Sequence, residues 1–210
     1  MGSEAIWRVK AADRKVDEWL SGLVAASVSV TSGEKLVLMV AVDILGSYEE
    51  RNANYGGEIH IYSADAVKET VIKLTPDITT PWCVVMTTRK TFIVSYGLQW
   101  HEMNRVCEVD MTGRMLKAFG SSAGEGVGQL REPYYVSLDD EQRIIVADRL
   151  NDRVLLLTKE LMLQRVLVTW HPRPHCDDAR YPSTLHYDRQ SGQLLVGLQD
   201  GHLDIYKLRN

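Results

Sequence analysis

One segment of the chain collects the side-chain types that most often bind zinc. Between residues 171 and 186 these are His171, His175, Cys176, Asp177 and His186. Their spacing matches no standard structural zinc pattern, and two prolines favour an extended connection. We therefore predict no metal site in this segment, and the sequence indicates no cofactor.

Three aspartates follow short apolar runs that resemble one another, at Asp43, Asp148 and Asp200. If those runs are equivalent strands, the carboxylates converge on one face, where oxygen ligands could hold a hard cation such as Ca²⁺ for hydrolysis. Tyr96 and Gly97 break the series, and no His–carboxylate pair stands at an obviously equivalent place to act as a base. No G-x-S-x-G nucleophile motif is present. The sequence therefore predicts a protein that is not an enzyme.

The remaining candidates are aromatic, arginine and histidine side chains in predicted loops. As a candidate binding face we single out Tyr48, Arg51, Tyr55, Trp100, His101, Arg149, Tyr134 and Trp170. Aromatic and arginine side chains dominate protein interaction hot spots. The same types also stack on single-stranded bases, so a protein partner and an RNA partner both stay open at this point.

The elements that must position these side chains form an internal repeat. The last apolar residue of the predicted third strand falls at Val9, Tyr62, Val109, Leu157 and Tyr206, so successive units are 53, 47, 48 and 49 residues apart. About 50 residues with four short strands is typical of a β-propeller blade. We predict one all-β domain over 1–210, a propeller of about four four-stranded antiparallel blades in a partial or compact ring. Its units are 5–20 (a half blade), 24–74, 81–119, 133–168 and 182–208.

One unit carries a specific motif between residues 124 and 158. It reads G-x-G-x-G-Q-x-x-x-P, then V-A-D-x-x-N-x-R-V, through Gly124, Gly126, Gly128, Pro133, Asp148, Asn151 and Arg153. Glycines permit turns with positive φ, proline suits a strand start, and an aspartate can accept turn N–H groups or the arginine fork. These are structural roles. The motif resembles the NHL repeat of the propellers at the C-termini of tripartite-motif proteins, which implies partner or substrate recognition for ubiquitin ligation.

Composition and charge indicate the class of protein and its cellular environment. The chain has 210 residues and a net charge of −4, so it lacks the basic balance of a nonspecific nucleic-acid binder. Three cysteines make no closed disulfide framework, the first ten residues contain no signal-peptide core, and the longest apolar run has seven residues. We expect a cytoplasmic protein that does not contact membranes.

Taken together, these patterns predict a non-catalytic propeller scaffold for protein–protein interaction. The alternative is single-stranded RNA binding through the loop face, and the least favoured prediction is a calcium-dependent hydrolase resembling lactonases. An open array would also leave edge strands through which chains could self-associate.

Overall fold

The computed structural model describes residues 5–9, 16–21, 25–31, 35–41, 56–97, 103–170 and 180–208. Within these ranges the regular structure is β-strand, apart from a 3₁₀ turn at Arg149–Asn151. The strands are β1 Ala5–Val9, β2 Val16–Ser21, β3 Ala25–Val30, β4 Leu36–Ala41, β5 Gly57–Tyr62, β6 Lys68–Lys73, β7 Pro81–Met86, β8 Phe92–Tyr96, β9 Arg105–Val109, β10 Met115–Phe119, β11 Pro133–Leu138, β12 Ile144–Asp148, β13 Arg153–Leu157, β14 Leu163–Thr169, β15 Pro182–Asp188, β16 Gln193–Leu198 and β17 Leu203–Lys207.

The strands pair as consecutive antiparallel sheets. Three sheets have four strands each: β3–β6 (the first blade), β7–β10 (the second blade) and β11–β14 (the third blade). The fourth blade has three, β15–β17, and β1 pairs with β2 as a separate hairpin. The predicted fold class is confirmed: this is an all-β propeller of antiparallel blades. Nothing in the described part of the chain qualifies as a helix able to cross a bilayer.

The first strand of each blade is its innermost strand. Strand β7 packs on β3, β11 packs on β7, and β15 packs on β11. Side chains that alternate along the strands fill the spaces between successive blades, as the two-residue period of a strand requires. Met39 and Phe92 lie between the first two blades, and Ile145 and Val196 between the last two. This packing fixes the ends of the blades with respect to one another.

The same backbone hydrogen bond joins the first two strands in three of the blades. The residue before each opening proline has a positive φ, at Thr80 (50°), Glu132 (52°) and Tyr181 (46°). This left-handed conformation costs about 1 kcal/mol or more in residues other than glycine. Each of these carbonyls accepts the first N–H after the second strand of its own blade: Gly97 to Thr80 (3.3 Å), Arg149 to Glu132 (3.1 Å) and Gln199 to Tyr181 (3.1 Å). We call the edge of the propeller that carries these six residues the mouth.

Candidate active site at the mouth

A ladder of planar side chains crosses the mouth from the second blade to the fourth. The ring centroids of Trp82 and Tyr134 are 4.9 Å apart with an interplanar angle of 36°. The guanidinium carbon of Arg149 lies 5.4 Å from the centroid of Tyr134 and 5.2 Å from that of Tyr181. Cation–π contacts of this kind contribute about 0.5–2 kcal/mol each. The ladder therefore holds four half-buried side chains in one arrangement.

The repeat explains where the aromatic members stand. Trp82 and Tyr134 each follow the proline that opens an inner strand, and Ser183 has the same position in the fourth blade. All three are half-buried, whereas the preceding prolines are buried. The Trp82 indole N–H donates to the carbonyl of Gly97 at 2.7 Å, which fixes the ring. Large side chains thus line the mouth at the second and third blades, and a small one at the fourth.

Arg149 links the third blade to the fourth, and its partner Glu132 links the third blade to the second. Its guanidinium forms an ion pair with Glu132 and donates to Oε1 of Gln199 at 2.6 Å. The backbone N–H of Glu132 in turn donates to Oδ1 of Asn104, in the second blade, at 2.9 Å. The positive charge of Arg149 is therefore balanced within the protein, and its position fixes the turn that begins at Gln199.

That turn carries a histidine–carboxylate pair. Nδ1 of His202 lies 3.0 Å from Oδ2 of Asp200, and the other oxygen of Asp200 accepts the backbone N–H of His202 at 3.0 Å. This backbone bond, the His202 side chain and the charge of Arg180 hold the pKa of the Asp200 carboxyl below its usual value. The His202 side chain is 69% exposed. A carboxylate on one ring nitrogen fixes the imidazole so that the other can exchange a proton with a bound molecule.

Asp148 has a different role from Asp200. Its buried carboxylate accepts N–H bonds from the backbone of Arg131 (2.7 Å) and from the side chains of Asn151 (2.8 Å) and Arg153 (2.7 Å). Burial raises the pKa of this carboxyl, and the N–H donors oppose the rise. With donors on both oxygens, Asp148 does not fit the proposed calcium site. In the described ranges no three His, Cys, Asp or Glu side chains gather as metal ligands, and Asp43 lies outside them.

The rest of the NHL-like motif surrounds this network. Asn151 donates to the carbonyl of Gly124 at 2.8 Å, and the Arg153 guanidinium donates to the carbonyls of Glu125 and Gln129 at 2.9 Å each. The Gln129 side chain accepts the N–H of Gly126 at 3.0 Å. Gly128 has a φ of +76°, and Pro133 opens β11. The motif folds the connection between the second and third blades onto the end of β12.

The structure describes only part of the predicted binding face. Tyr134 and Arg149 meet at the mouth, whereas Trp170 follows β14 and donates its indole N–H to Oδ2 of Asp204 at 3.2 Å. Of the zinc-type residues, His186 lies in β15 with an exposed side chain. The other predicted residues fall outside the described ranges: Tyr48, Arg51, Tyr55, Trp100, His101, His171, His175, Cys176 and Asp177. RNA binding through this face stays a prediction.

Sequence reasoning missed most of the site that the structure assembles. Glu132 and Gln199 were not singled out, and the Asp200–His202 pair was overlooked. A signal was present, because an aspartate two residues before a histidine, with a glycine between them, is typical of a tight turn that brings the two side chains together.

Comparisons with known proteins identify the architecture. No family model matches the chain, and no curated protein matches it. Among solved structures, a streptogramin B lyase is 13% identical with a TM-score of 0.51 over 98% of this chain and 62% of its own. A candidate gluconolactonase is 12% identical with a TM-score of 0.57 over 98% and 69%. A Bacteroides caccae protein of unknown function is 13% identical with a TM-score of 0.53 over 93% and 61%. The chain thus spans about three fifths of the length of the lyase and the B. caccae protein. At these identities the likeness shows the β-propeller fold.

These comparisons overturn two predictions. The sequence predicts a non-catalytic scaffold that is not an enzyme, but similar propellers are named as a lyase and a candidate gluconolactonase. The prediction was wrong because it took the lack of a contiguous catalytic motif as the lack of catalysis. Activity depends on a few side chains in a site and not on the fold, and a pair such as Asp200 and His202 on one turn matches no contiguous catalytic motif.

Proposed function

We propose that this chain carries the active face of a propeller enzyme that opens a cyclic ester. The observation that carries the proposal is the Asp200–His202 pair, whose nitrogen–oxygen distance is 3.0 Å, on a turn of the mouth. A fixed imidazole of this kind is the commonest general acid–base group in enzymes. The name of one similar propeller, a candidate gluconolactonase, supports the substrate class, since that name denotes action on a lactone.

The proposed reaction is a hydrolysis with proton transfer through His202. The neutral imidazole takes a proton from water as the oxygen attacks the ester carbonyl, and Asp200 stabilises the imidazolium that forms. The bond between the acyl carbon and the ring oxygen then breaks, and the imidazolium returns the proton to that oxygen. The products are a hydroxy acid and the free enzyme, and such acid–base assistance contributes about 10²–10⁴-fold in rate.

Arg149 acts in this proposal through Gln199. The contact of 2.6 Å between Nη2 of Arg149 and Oε1 of Gln199 joins the third blade to the residue that precedes Asp200. The backbone N–H of Gln199 also bonds the carbonyls of Arg180 (3.2 Å) and Tyr181 (3.1 Å). Gln199 is therefore held at both its side chain and its backbone, which limits the movement of the catalytic pair.

In this proposal the NHL-like motif has a structural role and takes no part in the reaction. We infer that the resemblance reflects a shared way of closing one blade onto the next, because Asp148, Asn151 and Arg153 direct their polar groups at one another and at neighbouring backbone. These contacts leave the three side chains with an internal role in the third blade.

The test is the rate at which the protein opens a panel of five- and six-membered lactones, followed by acid release at constant pH. We expect His202→Asn to lower kcat about 10²–10⁴-fold and Asp200→Asn to lower it less. His186→Asn is the matched control, because His186 is an exposed histidine of the same blade. Unchanged turnover in His202→Asn would remove that residue from the mechanism. Absence of turnover across the panel would overturn the proposed function.

A further inference from the structure

The Asp200–His202 pair lies on the fourth blade, and the proposed reaction gives no role to Trp82 and Tyr134 on the second and third blades. Trp82 and Tyr134 stand at equivalent positions of adjacent inner strands, in van der Waals contact across 4.9 Å between ring centroids, and both keep part of their surface exposed. We propose that these two rings form a subsite for a flat apolar ring, so that the preferred substrate is a cyclic ester with an aromatic substituent. The ester part of this inference rests on the proposed function, and the subsite does not.

Both rings are held in place before a ligand arrives. The indole N–H of Trp82 is committed to the carbonyl of Gly97 at 2.7 Å, so the ring cannot turn without losing that bond. Tyr134 is backed by the Arg149 guanidinium at 5.4 Å. A fixed aromatic surface loses little conformational entropy on binding, and aromatic rings prefer to pack against other rings in tilted or offset arrangements.

The charges around Trp82 and Tyr134 favour a neutral ring over an anion as the ligand. Arg149 lies 5.4 Å from the centroid of Tyr134, and its guanidinium already pairs with the Glu132 carboxylate and bonds Gln199. A bound anion would have to compete with that carboxylate. An apolar ring would instead remove the exposed carbon of Trp82 and Tyr134 from water without disturbing the pair.

The equivalent positions of the inner strands differ in size. The inner-strand position that holds Trp82 and Tyr134 is occupied in the fourth blade by Ser183, a smaller side chain. The fourth blade also carries the Asp200–His202 turn. We infer that a molecule whose ring rests on the second and third blades has its ester on the side of the fourth blade, beyond Arg149 and Tyr181.

The experiment compares γ-phenyl-γ-butyrolactone with unsubstituted γ-butyrolactone as probes. Binding is followed on the full chain by the ¹H–¹⁵N signal of the Trp82 indole, which is assigned by its loss in Trp82→Phe. We expect the phenyl lactone to shift this signal and to bind about 3- to 10-fold more tightly than the parent compound. Trp82→Leu should remove this preference, and Trp82→Phe should retain part of it because it keeps a ring.

The outcomes separate the two proposals. Equal binding of the two lactones, or shifts confined to the other tryptophans, would overturn the subsite even if both lactones are hydrolysed. A shift of the Trp82 signal with tighter binding of the phenyl lactone supports the subsite even where neither compound is turned over, and in that case only the proposed reaction fails.

Discussion

Replacement of Asp148 by asparagine should destabilise the third blade strongly. The carboxylate accepts two side-chain N–H bonds on Oδ2, from Asn151 at 2.8 Å and Arg153 at 2.7 Å, and one backbone N–H on Oδ1. The new amide can still accept the backbone bond, but its NH₂ group would face two donors. Hydrogen bonds to a charged group contribute about 1.5–3 kcal/mol each, and loss of one partner from a buried ion pair costs about 3–5 kcal/mol. We expect a loss of about 3–5 kcal/mol in the free energy of unfolding.

Urea unfolding followed by tryptophan fluorescence measures this loss, and a thermal scan should show a Tm lower by roughly 6–20 °C for a chain of this size. Asp110→Asn is the control, because Asp110 caps the turn between β9 and β10 through bonds to Thr112 on the surface. Arg153→Met alone and combined with Asp148→Asn completes a double-mutant cycle, in which the coupling should account for most of the loss. A loss below about 1 kcal/mol in Asp148→Asn, or effects that simply add, would refute the assignment of the network as the support of this blade.

Three further predictions concern individual buried residues. Burial raises the pKa of the Cys83 thiol to about 11 and raises that of the Cys107 thiol as well, so peptide mass spectrometry should find both unmodified by iodoacetamide at pH 8 until urea unfolds the protein. The pKa of Glu108 lies below its ordinary 4.5, because bonds from a hydroxyl and a lysine outweigh the opposing effect of burial. Its ionisation therefore stabilises the fold above pH 4.5 and is lost as the pH falls further, and Glu108→Gln should flatten the stability profile measured by urea titration in that acidic range. Gly113→Ala should lower Tm more than Gly201→Ala, because both have positive φ but only a Cβ at Gly113 would collide with backbone of the first blade.

The architecture could be predicted from the sequence because its unit, the blade, repeats along the chain. The prolines at 81, 133 and 182 open inner strands, as a residue without an N–H is expected to do at a strand start. The spacing of the apolar residues gave the blade period of about 50 residues, since each blade must bury the same faces as its neighbours. Regularities of this kind are visible in one chain without a structure.

The candidate site could not be predicted in the same way, because its side chains differ from one blade to the next. Arg149 meets Gln199 across 50 positions of sequence, and neither side chain lies in a local motif that would predict the contact. The Asp200–His202 pair lies within three residues, yet its position at the mouth follows only from the pairing of β16 with β17. A pattern search along the chain compares neighbours in sequence, whereas Arg149 and Gln199 are neighbours across blades.

The mouth shows how a repeat could hold an active site of the proposed kind without losing its regularity. Gly97, Arg149 and Gln199 occupy one structural position, directly after the second strand, and in these three blades the backbone N–H there bonds the carbonyl before the opening proline. That bond requires no particular side chain, so this position can hold glycine, arginine or glutamine with the same backbone geometry. Architecture is therefore carried by the backbone at the mouth, and the side chains are free to differ from blade to blade. Function is accordingly to be sought where equivalent positions carry unlike residues, which is where the ladder of planar side chains and the Asp200–His202 turn stand.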